Sequence, residues 1–189
     1  MCPGNLFWPR LRKKSRKIVL NTFSVKTLIL DHQQIQQKLN RLAYQVYEAN
    51  YQEAEIIVAG IEPNGAILAQ RLADKLKEIT GKKIGLATLK VNKDNPLQSE
   101  LICEMGGCEF GGKSVVLVDD VLNTGRTMIY GIKYFLEYPI KQLSTVVLVD
   151  RDHKLFPVRA DYIGLSLSTN LQEHVSVEMN DQSDAVYLL

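Results

Sequence analysis

The sequence predicts an α/β domain built on a mostly parallel, twisted sheet flanked by helices. Apolar runs of strand length alternate with stretches of helical apolar spacing, and these runs span residues 56–59, 84–91, 115–118 and 145–149. Such alternation is typical of βαβ units joined by right-handed crossovers. The third of these runs leads directly into Asp119 and Asp120. A buried parallel strand would carry these acids to its carboxyl end, where ligands bind in open α/β sheets.

Three helices are predicted from capping residues and apolar spacing. The first follows Asp31 as N-cap and ends near Asn50. The second follows the turn at 60–65 and continues to Ile79. The third follows Thr127, and we expect it to bury Met128, Ile132, Phe135 and Leu136.

The remaining segments predict short strands and one crossing. Glycine pairs at 106–107 and 111–112 bracket a hairpin or a flexible crossing before the central strand. Short strands near 162–167, 175–178 and 185–188 complete the fold.

Length and composition indicate one globular domain without a membrane span. The chain has 189 residues, of which 46% are hydrophobic and 23% charged, and no apolar run approaches the roughly 20 residues that cross a bilayer. Cys2, Cys103 and Cys108 form no paired metal-binding spacing. We therefore expect a cytoplasmic protein with reduced thiols.

The net charge of +2 conceals a basic N-terminus. Six lysine and arginine residues lie between Arg10 and Lys17, and no acid occurs in residues 1–17. Without those six, 17 of the 23 basic side chains remain against 21 acidic ones. We assign residues 1–29 to a basic, partly disordered extension and residues 30–189 to the folded domain. Such a segment could contact nucleic acid or an anionic membrane, but a dispensable tail is the favoured interpretation.

The segment from Val115 to Met128 carries most of the functional information. Its two acids are followed by a polar turn, Thr124-Gly-Arg-Thr127, which opens a helix. Backbone N–H groups, hydroxyls and a helix N-terminus together suit a phosphate, while paired carboxylates accept hydrogen bonds from vicinal sugar hydroxyls. Receiver domains also end a strand in two acids, but they leave the Thr124–Thr127 turn unexplained. A phosphorylated sugar site is the interpretation that accounts for both features.

This segment closely resembles the PRPP-binding motif of type I phosphoribosyltransferases. The stretch Val147–Gly164, with its Val-Asp-Arg and Arg-Ala-Asp-Tyr pieces, and the ending Asp184-Ala-Val-Tyr187 resemble the branch of pyrimidine operon regulators that are also uracil phosphoribosyltransferases, PyrR. The resemblance covers residues 30–189. It implies the type I phosphoribosyltransferase fold with a small hood region, and a Mg²⁺-dependent pentosyltransferase in pyrimidine salvage with uracil as the favoured base.

The resemblance also assigns roles to individual residues. Asp119 and Asp120 would be the catalytic pair that holds the ribose hydroxyls. The 5′-phosphate would be bound by Asn123, Thr124, Gly125, Arg126 and Thr127. Pyrophosphate would be bound by Gly60, Ile61, Glu62, Pro63, Asn64, Gly65, Lys90 and Lys93. The base would contact Tyr162 and Ile163, and Mg²⁺ would be held mainly through PRPP rather than by direct protein ligands.

Three departures from the family pattern bear on function. The segment between Asp94 and the central strand is several residues shorter than the flexible loop of PyrR-like proteins. Asn64 stands where the pyrophosphate loop commonly carries a basic residue, so a cation is lost there. Asn40 and Tyr44 replace Thr and His that relatives associate with RNA binding, although Lys154 and Arg159 remain as possible RNA contacts. We therefore do not favour RNA binding, and a regulator with little catalysis and a purine phosphoribosyltransferase are the alternatives. The resemblance further implies a homodimer or higher homo-oligomer.

Overall fold

The computed structural model describes residues 26–91, 102–105, 110–170, 172–180 and 183–189. In chain order the elements are β1 (Thr27–Leu30), α1 (His32–Ala49), β2 (Glu55–Ile61), α2 (Asn64–Ile79), β3 (Lys83–Lys90), β4 (Ile102–Met105), β5 (Ser114–Leu122), α3 (Arg126–Leu136), β6 (Gln142–Asp150), β7 (Tyr162–Ser166), β8 (Val175–Glu178) and β9 (Ala185–Leu188).

The main sheet confirms the predicted α/β class. Its six strands lie in the order β4-β3-β2-β5-β6-β7, and all neighbours are parallel except the antiparallel edge strand β4. Gly60 of β2 pairs with Val118 of β5, and Asp119 pairs with Val147 of β6. The carboxyl ends of the central strands therefore meet at one edge of the sheet.

Helices cover both faces of this sheet, and each face has its own apolar core. One core packs α1 and α2 against β-strand residues such as Val116 and Val118. The other packs α3 against the alternate residues Val115 and Leu117. This alternation follows from the two-residue period of a strand that is buried on both faces. No helix in the described ranges combines the length and apolar character needed to cross a bilayer.

Helix α3 buries less of its sequence than expected. Met128 and Phe135 are 1% and 0% exposed, as predicted, and Ile132 is half-buried. The prediction for Leu136 was wrong, because its side chain is 65% exposed. Leu136 is the last residue of the helix, one position beyond Phe135, and adjacent positions on a helix face different directions.

A second, three-stranded antiparallel sheet, called the hood below, has the order β1-β9-β8. Residues 27–29, which were assigned to the extension from sequence, lie in β1, where Thr27 pairs with Leu188. The described fold therefore begins before residue 30. The basic run at residues 10–17 lies outside the described residues.

Candidate active site

A cavity of about 290 Å³ lies at the carboxyl edge of the main sheet. Its walls come from the end of β5, the following turn, the start of α3, the residue after β6 and the start of β8. The lining residues are Asp119, Asp120, Val121, Leu122, Asn123, Thr124, Gly125, Arg126, Thr127, Met128, Arg151, His174 and Val175. The predicted sugar and phosphate residues therefore surround one cavity.

The two aspartates have different surroundings. Strand β5 continues past both of them to Leu122, so they lie within the strand rather than after it. Asp119 is 3% exposed, and its Oδ1 accepts a hydrogen bond of 3.0 Å from the backbone N–H of Asp120. Asp120 is half-buried, and its Oδ2 accepts a bond of 2.9 Å from Nδ2 of Asn64. Asp120 is therefore the more accessible carboxylate.

The predicted phosphate turn is a tight connection that requires glycine. Gly125, the N-cap of α3, has a φ of 81°, in the left-handed region that glycine adopts at no steric cost. The backbone N–H of Arg126 donates to Oγ1 of Thr124 at 3.3 Å. The carbonyl of Thr124 accepts from the N–H groups of Leu155 and Phe156 at 2.9 and 3.0 Å. These bonds fix the turn to the segment that follows β6.

The N-termini of α2 and α3, which lie at this edge, differ from that of α1 in their capping. Helix α1 has a complete capping box, in which Asp31 and Gln34 each bond the other's backbone. Neither α2 nor α3 has a side-chain cap. The N–H of Arg126 bonds Thr124, but the N-cap residues offer no side-chain acceptor, so the first-turn N–H groups and the helix dipole favour an anion at these two termini.

The predicted pyrophosphate loop lies beside the aspartates. Strand β2 ends at Ile61, a cis peptide joins Glu62 to Pro63, and α2 begins at Asn64. A Cβ on Gly65 would lie 2.8 Å from the Val118 carbonyl oxygen and 3.2 Å from Oδ1 of Asp119. Glycine is thus what allows α2 to approach β5 so closely.

Gly60 of β2 also allows close packing against the first turns of α2. A Cβ there would lie 2.4 Å from the carbonyl oxygen of Gly65 and 2.7 Å from Cβ of Ala69. The loop from 60 to 65 is consequently folded tightly onto the first turn of α2.

Of the two lysines predicted to contact pyrophosphate, only Lys90 lies within the described residues. Lys90 ends β3 and forms an ion pair with Glu104 of β4. Its hydrogen bond to Glu104, aided by the charges of Glu104 and Glu62, raises the pKa of Lys90 above its ordinary value. The backbone N–H of Glu62 donates to the carbonyl of Leu89 at 3.1 Å, so the loop lies beside the end of β3. Lys93 lies outside the described residues.

The structure does not bring Tyr162 and Ile163 to this cavity. Neither residue lines it: they pair with Val146 and Val147 of β6, and β7 is an edge strand that lies two strands away from β5. Burial and the charge of Asp161 raise the pKa of the Tyr162 hydroxyl. The carbonyl of Ile163 accepts a 2.8 Å bond from the guanidinium of Arg41. Those contacts are structural ones between β7 and its neighbours.

The two possible RNA contacts are placed differently in the fold. Lys154 is 19% exposed, and its Nζ lies 3.1 Å from Asp150 and 3.5 Å from Asp152. Its charge is therefore balanced by neighbouring acids. Arg159 is exposed on the segment before β7.

Sequence reasoning missed Arg151, His174 and Val175 as lining residues. Arg151 is 4% exposed, its guanidinium donates to Oγ1 of Thr169 at 3.1 and 3.2 Å, and it also bonds the Glu173 carbonyl. A buried strand followed at once by arginine could have identified this residue, by the same rule that identified Asp119. His174 and Val175 depend on how the hood folds over the sheet, and no local pattern indicates that.

Comparisons with known proteins agree with this geometry. A family model described as the phosphoribosyl transferase domain matches residues 26–182. Proteins named bifunctional protein PyrR from Bacillus cereus (strain AH820) and Bacillus thuringiensis subsp. konkukian are each 34% identical over 172 residues, covering 85% of this chain and 96% of the relative.

Solved structures show the same fold at lower identity. The hypoxanthine phosphoribosyltransferase of Trypanosoma cruzi is 15% identical, with a TM-score of 0.68 over 85% of this chain and 95% of that one. A hypoxanthine-guanine phosphoribosyltransferase from Bacillus anthracis is 20% identical, with a TM-score of 0.63 over 75% of this chain and 82% of that one. With its cavity, its paired aspartates and its PyrR-like sequence, the chain belongs to the type I phosphoribosyltransferase family.

Proposed function

We propose that this protein transfers phosphoribose from PRPP to a nucleobase, with release of pyrophosphate, and that uracil is the base. The observation that carries the proposal is the single cavity in which Asp119 and Asp120 face the phosphate turn at the uncapped N-terminus of α3. A carboxylate pair and an anion site that line one cavity suit the two ends of a ribose 5-phosphate.

The phosphate turn would hold the 5′-phosphate. Backbone N–H groups at the start of α3 and the hydroxyls of Thr124 and Thr127 supply donors, and Arg126 adds a cation. The side chain of Asn123 completes this rim. Because the turn is bonded to the segment after β6, it is rigid before the phosphate arrives.

The aspartates would orient the ribose and stabilise the transition state. Loss of pyrophosphate gives the ribose ring oxocarbenium character, so a negative field below the ring lowers the barrier. Asp119 is buried and bonded, which suits a fixed charge. Asp120 is more exposed, which suits direct contact with the sugar hydroxyls. Positioning of the two substrates supplies much of the remaining rate.

The departing pyrophosphate would lie against loop 60–65, with Lys90 and Lys93 as its candidate cations. Oxygen ligands are those that Mg²⁺ prefers, and Asp119 and Asp120 offer them at the edge of the cavity. The described residues contain no group of three or more His, Cys, Asp or Glu able to enclose an ion, so PRPP itself would supply most ligands. When bound, Mg²⁺ neutralises charge on the departing group.

The base would lie against the wall formed by Arg151, His174 and Val175. A buried guanidinium beside the base favours ring carbonyl oxygens over an exocyclic amino group. This supports an oxo-base such as uracil and disfavours adenine. The PyrR-like sequence favours uracil over hypoxanthine and guanine.

Self-association and a cytoplasmic location form part of the same proposal. Exposed apolar side chains, among them Leu136 and Tyr138 at the end of α3, support an interface between copies of the chain. The cysteine usage supports the location. The RNA-binding alternative is less well supported, because Asp150 and Asp152 neutralise Lys154.

The direct test measures pyrophosphate release from PRPP and Mg²⁺ with uracil, hypoxanthine, guanine, xanthine, adenine and orotate in turn. We expect release that depends on uracil and none with adenine. Release with hypoxanthine or guanine instead would retain the transferase and overturn the assigned base. No release with any base, while PRPP still binds, would overturn the proposed activity.

A further inference from the structure

Asn64 connects three parts of the molecule through one carboxamide. It is the first residue of α2 and belongs to the predicted pyrophosphate loop, residues 60–65. Its Nδ2 donates to Oδ2 of Asp120 at 2.9 Å and to the backbone carbonyl of Val177 at 3.0 Å. Val177 is a buried residue of β8, in the hood. One side chain therefore joins the main sheet, α2 and the hood.

Both donor hydrogens of Asn64 are used in these two bonds. A carboxamide carries two N–H groups and one acceptor oxygen, and it has no charge. Asn64 consequently has no remaining side-chain N–H to offer pyrophosphate, and its remaining polar atom is an acceptor. Asn64 therefore cannot replace the basic residue that the family commonly carries in this loop. Its contribution comes instead from the two groups that its hydrogen bonds hold together.

The bond to Val177 bears on the cavity wall. Strand β8 begins with Val175, two residues before Val177, and His174 precedes it; both line the cavity. Arg151 also donates a hydrogen bond to the backbone carbonyl of Glu173, two residues before β8. The remaining side-chain bonds that join the hood to α1 and α2 involve Asp184 and Asn180, after β8. Asn64 is thus placed to fix the wall relative to Asp120.

We propose that Asn64 is a positioning residue that couples the hood strand β8 to Asp120 and so sets the spacing between the base wall and the ribose carboxylate. The coupling rests on the geometry of the hydrogen bonds, while its effect on transfer rests on the proposed function. A tethered β8 keeps its wall in place before the base binds. Asp120, held by the same amide, presents its other oxygen to the sugar.

The coupling can be measured without any activity, by hydrogen–deuterium exchange of peptides that cover residues 173–178. Asn64→Leu removes both bonds at similar size, and Asn64→Asp replaces the donor with a carboxylate that repels Asp120. We expect exchange in these peptides to accelerate about tenfold in both variants, since two hydrogen bonds, one to a charged group, are lost. Gln70→Leu, which removes an exposed carboxamide of the same helix that bonds Asp74, is the matched control and should leave exchange unchanged.

Kinetics and a cationic variant separate coupling from anion binding. In Asn64→Leu we expect KM for the base to rise about tenfold, with a smaller change in KM for PRPP. Asn64→Arg also breaks both bonds but supplies a cation, so it should share the faster exchange while binding inorganic pyrophosphate more tightly than wild type.

The outcomes distinguish this inference from the proposed function. Unchanged exchange at residues 173–178 in Asn64→Leu and Asn64→Asp, with thermal melts that show both are folded, would overturn the coupling. Faster exchange in a protein whose wild type releases no pyrophosphate would retain the coupling and overturn only the activity. Weaker pyrophosphate binding in Asn64→Leu with unchanged exchange would assign Asn64 to the leaving group instead.

Discussion

The two neighbouring aspartates show how position in a strand divides roles between identical side chains. Asp119 is buried and packed against Gly65, so its carboxyl group is held in one position by its surroundings. Asp120 faces a more open part of the cavity and is held at one oxygen by Asn64. A buried carboxylate makes a fixed field, whereas an accessible one can exchange partners with a ligand.

Conservative substitution of these carboxylates tests their role. Asp119→Asn and Asp120→Asn preserve shape but remove one negative charge each. We expect either change to reduce transfer at least about a hundredfold, the usual cost of one lost transition-state charge contact. Circular dichroism should show the fold retained. Turnover equal to wild type in both variants would contradict the assigned ribose site.

Asp152 is the one non-glycine residue in the described ranges with a left-handed backbone, at a φ of 56°. Aspartate tolerates this conformation better than alanine because its short polar side chain bonds locally. We expect Asp152→Ala to lower the free energy of unfolding by about 1 kcal/mol, whereas Asp152→Gly should change it little. Urea denaturation of the two variants measures this. Equal stability of both would show that the backbone there carries no strain.

The position of a residue in the fold could be predicted from sequence where the adjacent strand and turn determine it. Asp119 and Asp120 come directly after the apolar run of β5, and the turn from Thr124 follows that strand, so sequence order indicates where they lie. Tyr162 and Ile163 were predicted from resemblance, and they lie on the edge strand β7, outside the residues that line the cavity. His174 required knowledge of how a distant sheet folds back, which a local pattern does not contain.

At the scale of elements, close approach between α2 and β5 positions the site. The helix begins at the strand edge, and only the absence of a side chain at position 65 permits the contact. Helix and strand bounds were predicted to within a few residues, because buried strands and amphipathic helices have different apolar periods. Strand β1 was missed, since its four residues carry no helical or alternating pattern of their own.

Gly65→Ala tests that approach. The added Cβ would lie 2.8 Å from the Val118 oxygen and 3.0 Å from Cα of Asp119, both backbone atoms, so the elements must separate. We expect a loss of about 1–3 kcal/mol in unfolding free energy and weaker PRPP binding. Gly81→Ala, with no atom within 4 Å of the new Cβ, is the control and should leave both unchanged. Normal PRPP affinity in Gly65→Ala would mean that Asp119 tolerates displacement.

At the scale of the whole molecule, one buried carboxylate joins the hood to the helices. The Asp184 side chain is fully buried and pairs with Arg71 of α2 and, at 3.1 Å, with Nδ1 of His32 of α1. Arg71 also donates to the Asn180 carbonyl at 2.9 Å. The sequence showed Asp184 only as part of an ending that resembles PyrR, because the side chains that it pairs with, Arg71 and His32, lie more than a hundred residues away.

Removing this carboxylate should cost far more than removing an exposed one. Asp184→Ala leaves Arg71 partly buried without its partner, so we expect about 3 kcal/mol lower stability. Asp74→Ala removes an exposed ion pair with Lys77 and should cost less than about 1 kcal/mol. Thermal and urea unfolding of both variants provide the measurement. Equal costs would show that the hood is held by its apolar contacts alone.

The pairing of Thr27 with Leu188 has a consequence for biosynthesis. A ribosome adds about 5–20 residues per second, so β1 emerges on the order of ten seconds before its partner β9 exists. During that interval the phosphate turn and the aspartates can be in place, while the wall that carries His174 has yet to be made. Until the last strand arrives, β1 is an unpaired edge on the nascent chain, open to contact with other chains.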